Sequence, residues 1–334
     1  MENIKKHFGK GFSENERVKS YNLIENYISL SVKDWSSAPD TDSIAIAFNA
    51  ELKNLDDSDF CFLLCHTGYI PEIYSHDSSQ ETLYSKLIEV LVCEWAKRVG
   101  FKDSMIVKQK SSKEDVTIQQ DNIIIVCDAK SYRLGRSQAA PNVKDVIKKA
   151  DYDKWKSNYK GRSSIKHGLY ETIGGLITFP SLHKWKGKSD AYLYSTDKDD
   201  PIVILFYEYL SFYLLKKYNY SKLISLYNNY DKVFPIKSDN QENFNSLLIN
   251  FLFKDDLTEF IEYLELFKLI IKEKVKTTIN NIEDNILQFK DQIEKEIEII
   301  PVAELKQRLI ESLIYIKSHQ LKKQVININK FRPC

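Results

Sequence analysis

The alternation of apolar and polar positions changes several times along the chain, and each change predicts an element. Residues 80–99 carry apolar side chains at helical spacing, behind Ser78 and Ser79, both suited to cap a helix. Residues 116–119 are strand-like, and residues 123–127 form the apolar run Ile-Ile-Ile-Val-Cys. The polar Gln120-Asp121-Asn122 between them suits a hairpin turn. Further apolar runs at 174–179 and 202–207 are expected to extend the same sheet. A helix is expected at 18–31, before a polar stretch at 36–42. From Gln241 onward the pattern is helical. Val275, Ile279, Ile282, Ile286, Phe289, Ile293 and Ile297 recur at three- and four-residue steps and form an apolar seam, and Pro301 separates off a final helix. Such a seam packs inside its own domain or forms a subunit interface. Three regions follow: an N-terminal, partly helical extension at 1–52, an α/β core at 53–235 and a helical region at 236–334.

The most informative chemistry stands where the 123–127 run ends, at Asp128-Ala129-Lys130. Side chains alternate along a strand, so Asp128 and Lys130 share one face while Ala129 offers its backbone carbonyl. The hairpin brings Asp115, thirteen residues upstream, towards them. Mg²⁺ takes oxygen ligands, usually one or two carboxylates with waters and phosphate oxygens, and Asp115, Asp128 and the Ala129 carbonyl suit it. Lys130 can orient or deprotonate a water, or stabilise charge developing on a phosphate. Alone, Asp-Ala-Lys is a weak tripeptide whose ordinary explanation is a solvated strand end.

The residues that follow are more specific. The block Asp128-Ala129-Lys130-Ser131-Tyr132-Arg133-Leu134-Gly135-Arg136 closely resembles the segment around the active-site strand of HindIII-type restriction endonucleases, members of the PD-(D/E)xK nuclease superfamily. The resemblance continues in Gly68-Tyr69-Ile70-Pro71-Glu72, in Ser79-Gln80-Glu81-Thr82-Leu83-Tyr84-Ser85-Lys86, in Asn142-Val143-Lys144-Asp145 and around Trp155, with weaker similarity at 176–215 and in the C-terminal helices. It implies an α/β fold with a central mixed β-sheet flanked by helices. Asp115 takes the place of the first metal-binding aspartate, with Glu114 where the superfamily name has proline, and Asp128 and Lys130 match directly. Many members place an acid on the helix before the hairpin. Glu89, nearer the helix centre and just after the aligned Lys86, is preferred over Glu81, which is also explained as a first-turn acid favoured by the helix dipole.

With 48 basic and 47 acidic residues among 334, the formal net charge is +1, so overall charge does not announce nucleic acid. Between 144 and 166, however, eight basic residues stand against three acidic ones. Lys144, Lys148, Lys149 and Lys154 are candidate phosphate contacts; a solvated helix face with Tyr152, Trp155 and Tyr159 turned inward explains the cluster nearly as well. Ser131, Arg133 and Arg136 follow the catalytic strand directly, and an arginine there can clamp a phosphate or pair with guanine. Five cysteines without a secretory signal or long apolar span fit a reducing, cytoplasmic protein with no membrane partner. Cys61 and Cys65 lie in an apolar run that reads as core rather than zinc site, and Cys127 points away from Asp128 into the core.

These features predict a Mg²⁺-dependent type II restriction endonuclease acting on double-stranded DNA as a homodimer, with a cognate DNA methyltransferase as a functional companion and not a bound partner. The alternatives are a structure- or damage-specific nuclease of the same superfamily and a noncatalytic DNA-binding protein that keeps the fold. By resemblance, the first candidate site is AAGCTT, cut to leave 5′ overhangs.

Overall fold

The computed structural model describes residues 23–65, 68–107, 113–131, 133, 149–164, 166–180, 198–234, 241–297 and 303–330. Its strands are β1 (Met105–Ile106), β2 (Val116–Gln120), β3 (Ile123–Ala129), β4 (Ser163–Ser164), β5 (Gly168–Leu169), β6 (Glu171–Phe179) and β7 (Ile202–Phe206). The short β4 and β5 pair with each other. The other five form one mixed sheet in the order β1-β2-β3-β6-β7, antiparallel from β1 to β3 and parallel from β3 to β7.

The predicted hairpin is present. Gln120 pairs with Ile123 across Asp121-Asn122, and Asp121 takes a φ of +56°, a conformation that Asp tolerates better than most residues. The runs at 174–179 and 202–207 do extend the sheet, except that Tyr207 already begins a helix. In β6 the register to β3 slips between Ile124 and Ile125, and Gly174 stands at the slip with φ +156°. A Cβ there would meet the Pro201 carbonyl at 2.5 Å, and one on Gly175 would meet the Tyr152 ring at the same distance. The pair of glycines lets Tyr227 and Tyr152 pack directly on β6.

The helices are α1 (Leu23–Ser31), α2 (Thr41–Leu52), α3 (Asp57–Cys65), α4 (Ser79–Arg98), α5 (Lys149–Ser157), α6 (Tyr207–Leu215), α7 (Tyr220–Asn228), α8 (Gln241–Phe253), α9 (Leu257–Ile297) and α10 (Ala303–Ile328). The start of α4 is set by Ser78, whose side chain accepts the Glu81 amide at 3.2 Å, and Lys97 and Arg98 complement the dipole in its last turn. From Leu83 to Ala96 every residue except Ser85 is buried, as expected of a helix apolar on nearly all sides. The Trp95 indole ties α4 to α6 by donating to the Leu210 carbonyl at 2.8 Å.

One hydrophobic core runs from Ile24 of α1 through the sheet to Ile328 of α10, crossing both sequence boundaries, at 52 and at 235. Aromatic rings of α6, α8 and α9 knit the junction, with Phe253 and Phe260 stacked at 4.3 Å and Phe212 edge-on to Phe260 at 4.9 Å. The predicted seam of α9 faces inward. Ile282 is buried in the main core, and Ile293 packs with Ile310 of α10 in a second, smaller cluster. Pro301 and the Ile297 side chain lie outside the described set. No described helix is long and apolar enough to cross a membrane.

Candidate active site

The open end of the β2–β3 hairpin gathers the predicted catalytic group. Asp115 stands one residue before β2. Its amide donates to the Cys127 carbonyl at 3.0 Å, and its own carbonyl accepts from Val107 at 3.2 Å. With the backbone held from both sides, the Asp115 carboxylate lies over the end of β3, where Oδ2 accepts the Ala129 amide at 3.0 Å. Lys130 Nζ lies 2.6 Å from Asp128 Oδ2, the contact expected of side chains two residues apart on one strand.

Burial governs the electrostatics. Asp128 is 8% exposed, and its loss of hydration, with Asp115 beside it, pushes its carboxyl up to about 6 against the opposing pull of Lys130. Two acids and one ammonium leave an excess of negative charge that a divalent cation would relieve. The Asp115 and Asp128 carboxylates and the Ala129 carbonyl are hard oxygen donors of the kind Mg²⁺ takes, with waters and substrate phosphate completing its shell.

Glu89 stands on α4. Among the described residues no three acids, histidines or cysteines come close enough together to hold a metal, and Glu89, 2% exposed within α4, lies 3.6 Å from Lys86. Glu81 has a different role. Its carboxylate accepts the Asp77 amide at 3.0 Å and Arg133 Nη2 at 2.9 Å, so it closes the start of α4 and anchors the chain beyond β3.

That contact also bears on the expectation for Arg133. Its side chain is 3% exposed, and it donates to the carbonyls of Pro71 at 2.9 Å and Ser75 at 3.2 Å as well as to Glu81. A guanidinium so enclosed clamps these three groups together. Ser131 is half-buried and shares a hydrogen bond with Ser85 of α4 at 3.0 Å. Arg136, Lys144 and Lys148 lie outside the described residues.

In the basic cluster, Lys149 lies 2.8 Å from Asp200 and 3.1 Å from Asp153, and Lys156 pairs with the same two acids. Asp200 is distant in sequence, so a local charge count overlooks it. Lys154 is exposed, while Tyr152 is buried and Trp155 packs on the core. Glu114, just before Asp115, is 1% exposed and accepts hydroxyls from Thr117 at 2.8 Å and from Tyr159. The Cys61 thiol donates to the Ser211 carbonyl, Cys65 bonds Tyr263, and burial pushes the Cys127 thiol well above its usual range.

Sequence reasoning missed Tyr207, whose hydroxyl donates to the Lys130 carbonyl at 2.9 Å. Its only trace in the sequence is Pro180, a residue without an amide proton at the end of a predicted strand.

Comparison with protein families identifies the chain as a type II restriction endonuclease, a site-specific deoxyribonuclease that acts on double-stranded DNA. The family whose model matches is that of the HindIII restriction endonuclease, over residues 22–234, and the chain belongs to this family. The matched stretch contains the whole sheet together with Asp115, Asp128 and Lys130. A comparison with curated proteins gives no match.

Proposed function

We propose that this restriction endonuclease is a Mg²⁺-dependent member of the PD-(D/E)xK superfamily that cuts both strands of a palindromic DNA site as a homodimer. The observation that carries the proposal is the convergence of Asp115, Asp128 and Lys130 at one end of the hairpin, with the Ala129 amide bonded to Asp115 and the Lys130 ammonium to Asp128. A twofold axis relating two such sites would place one on each strand of a palindrome. The proposed site is AAGCTT with 5′ overhangs, on family resemblance.

Asp115, Asp128 and the Ala129 carbonyl would hold the cation, which when bound supplies Lewis-acid polarisation of the scissile phosphate. Asp115 is pre-set for this by the Ala129 amide, which fixes one carboxylate oxygen. Lys130 holds the Asp128 carboxylate and, at 35% side-chain exposure, remains open to solvent, from where it can orient the attacking water and offset charge on the phosphate. Ser131, Lys154, Arg136, Lys144 and Lys148 are proposed as DNA contacts beyond this centre.

The test is digestion of DNA of known sequence with purified protein and Mg²⁺, followed by sequencing of the ends. Ends at AAGCTT are expected. A different fixed palindrome would reject that site and keep the enzyme class, and random ends would point to a structure- or damage-directed nuclease. Intact DNA across Mg²⁺, Mn²⁺ and Co²⁺ would overturn the metal-dependent reading.

A further inference from the structure

We infer that Tyr207 is a positioning residue for the cleavage reaction, holding the Lys130 carbonyl at the point where Pro180 ends the β3–β6 ladder; this rests on the proposed catalytic part of Lys130. In this parallel pair Ala129 is opposite Thr178, and the Lys130 amide donates to the Thr178 carbonyl at 3.0 Å. Continued by one step, the ladder would direct the amide of residue 180 at the Lys130 carbonyl. Residue 180 is proline and has no proton to give. A carbonyl at this partly buried strand end needs another donor.

Tyr207 supplies it. The first residue of α6 reaches past β6, and its hydroxyl donates to the Lys130 carbonyl at 2.9 Å while accepting from Thr178 Oγ1 at 3.3 Å. Its ring is fully buried, and burial keeps the phenol protonated by pushing its pKa well up. Gly68 fits tightly beside it, since a Cβ there would come within 2.7 Å of the Tyr207 ring and 2.8 Å of the Pro180 ring. The phenol therefore has little freedom to move. Lys130 is held at both its amide and its carbonyl, and that backbone hold aims Nζ at Asp128, 2.6 Å away. Without the phenol, the last residue of the catalytic strand keeps only its amide bond, and the ammonium loses its fixed base.

The experiment is single-turnover cleavage at saturating DNA by Tyr207→Phe, which keeps the ring and removes only the hydroxyl. The rate is expected to fall roughly tenfold to a hundredfold, the cost of a small misplacement of a catalytic group, while DNA affinity measured in Ca²⁺ stays at the wild-type value. Pro180→Ala restores an amide proton at the right register, so Tyr207→Phe combined with Pro180→Ala should recover most of the lost rate. A purely structural role for the phenol would show no such recovery. A wild-type rate for Tyr207→Phe, a loss that appears in DNA affinity, or failure of Pro180→Ala to rescue would each overturn the inference. If Tyr207→Phe does not fold, Thr178→Val, which deletes the hydroxyl that orients the phenol, is read in the same way. It should slow cleavage and respond to Pro180→Ala, and an undiminished rate would overturn the inference. Lys130→Ala is run alongside. Full activity there would instead sink the catalytic reading of Lys130.

Discussion

Arg133 Nη2 and Glu81 Oε2 meet at 2.9 Å across fifty-two residues of sequence, joining the segment after the catalytic strand to the first turn of α4. Arg133→Ala would leave the Glu81 carboxylate and the carbonyls of Pro71 and Ser75 without that donor. Breaking an enclosed pair of this kind costs about 3–5 kcal/mol. The urea midpoint should drop accordingly, and for folded protein the slope of log DNA affinity against log salt should stay unchanged. A normal midpoint with a shallower salt slope would return Arg133 to the DNA interface.

Asp115→Ala, Asp128→Ala and Lys130→Ala should each slow cleavage roughly a hundredfold or more, because each removes transition-state stabilisation worth several kcal/mol. Circular dichroism should match the wild type, and binding in Ca²⁺ should be measurable for Lys130→Ala. Near-normal cleavage by folded Asp128→Ala is the outcome that rejects the site.

The basic residues of α5 can be tested one at a time. Lys154 is exposed, and if it meets a phosphate its replacement by glutamine should lower the salt slope by about 0.9. Lys149 is already matched by Asp153 and Asp200, so Lys149→Gln should change the slope less. Equal slopes for the two variants would show that the pairing of Lys149 with Asp153 and Asp200 does not keep it from DNA.

Acid should loosen the junction between α6 and α9. Lys216 lies 2.7 Å from Asp256 and 2.8 Å from Glu259, and its hydrogen bonds hold both carboxyls below their ordinary values of 3.8 and 4.5. A carboxyl depressed in the folded state contributes its stability fully above its ordinary value and loses it as pH falls through the folded value. The urea midpoint should therefore decline below pH 4.5, and Lys216→Met should flatten that part of the decline. An identical decline in Lys216→Met would assign it to other groups.

What the sequence made legible was local. The hairpin could be read because its apolar run, turn residues and second strand lie within fifteen residues, and the shared face of Asp128 and Lys130 follows from strand period alone. α4 could be read from its cap and apolar density. What local reading could not supply concerns groups whose partners come from far along the chain. Arg133 has every feature of a DNA contact until Pro71, Ser75 and Glu81 enclose it, and Lys149 reads as free charge until Asp200 arrives from fifty-one residues away. Glu89 was favoured for its central place on a helix, and such a place does not by itself say which side faces the hairpin end. Tyr207 was hidden for the same reason, since its role depends on the register between β3 and β6.

Glu114 carries a consequence for engineering by consensus. A designer working from the PD-(D/E)xK pattern would be drawn to place proline there, since substitutions towards a consensus residue often stabilise. Here the carboxylate is the acceptor for Thr117 and Tyr159, so proline would leave those two hydroxyls only each other, 2.9 Å apart, and delete a backbone donor as well. Positions 114, 117 and 159 form an interdependent set, and proline would be tolerated only if its two neighbours changed in the same step.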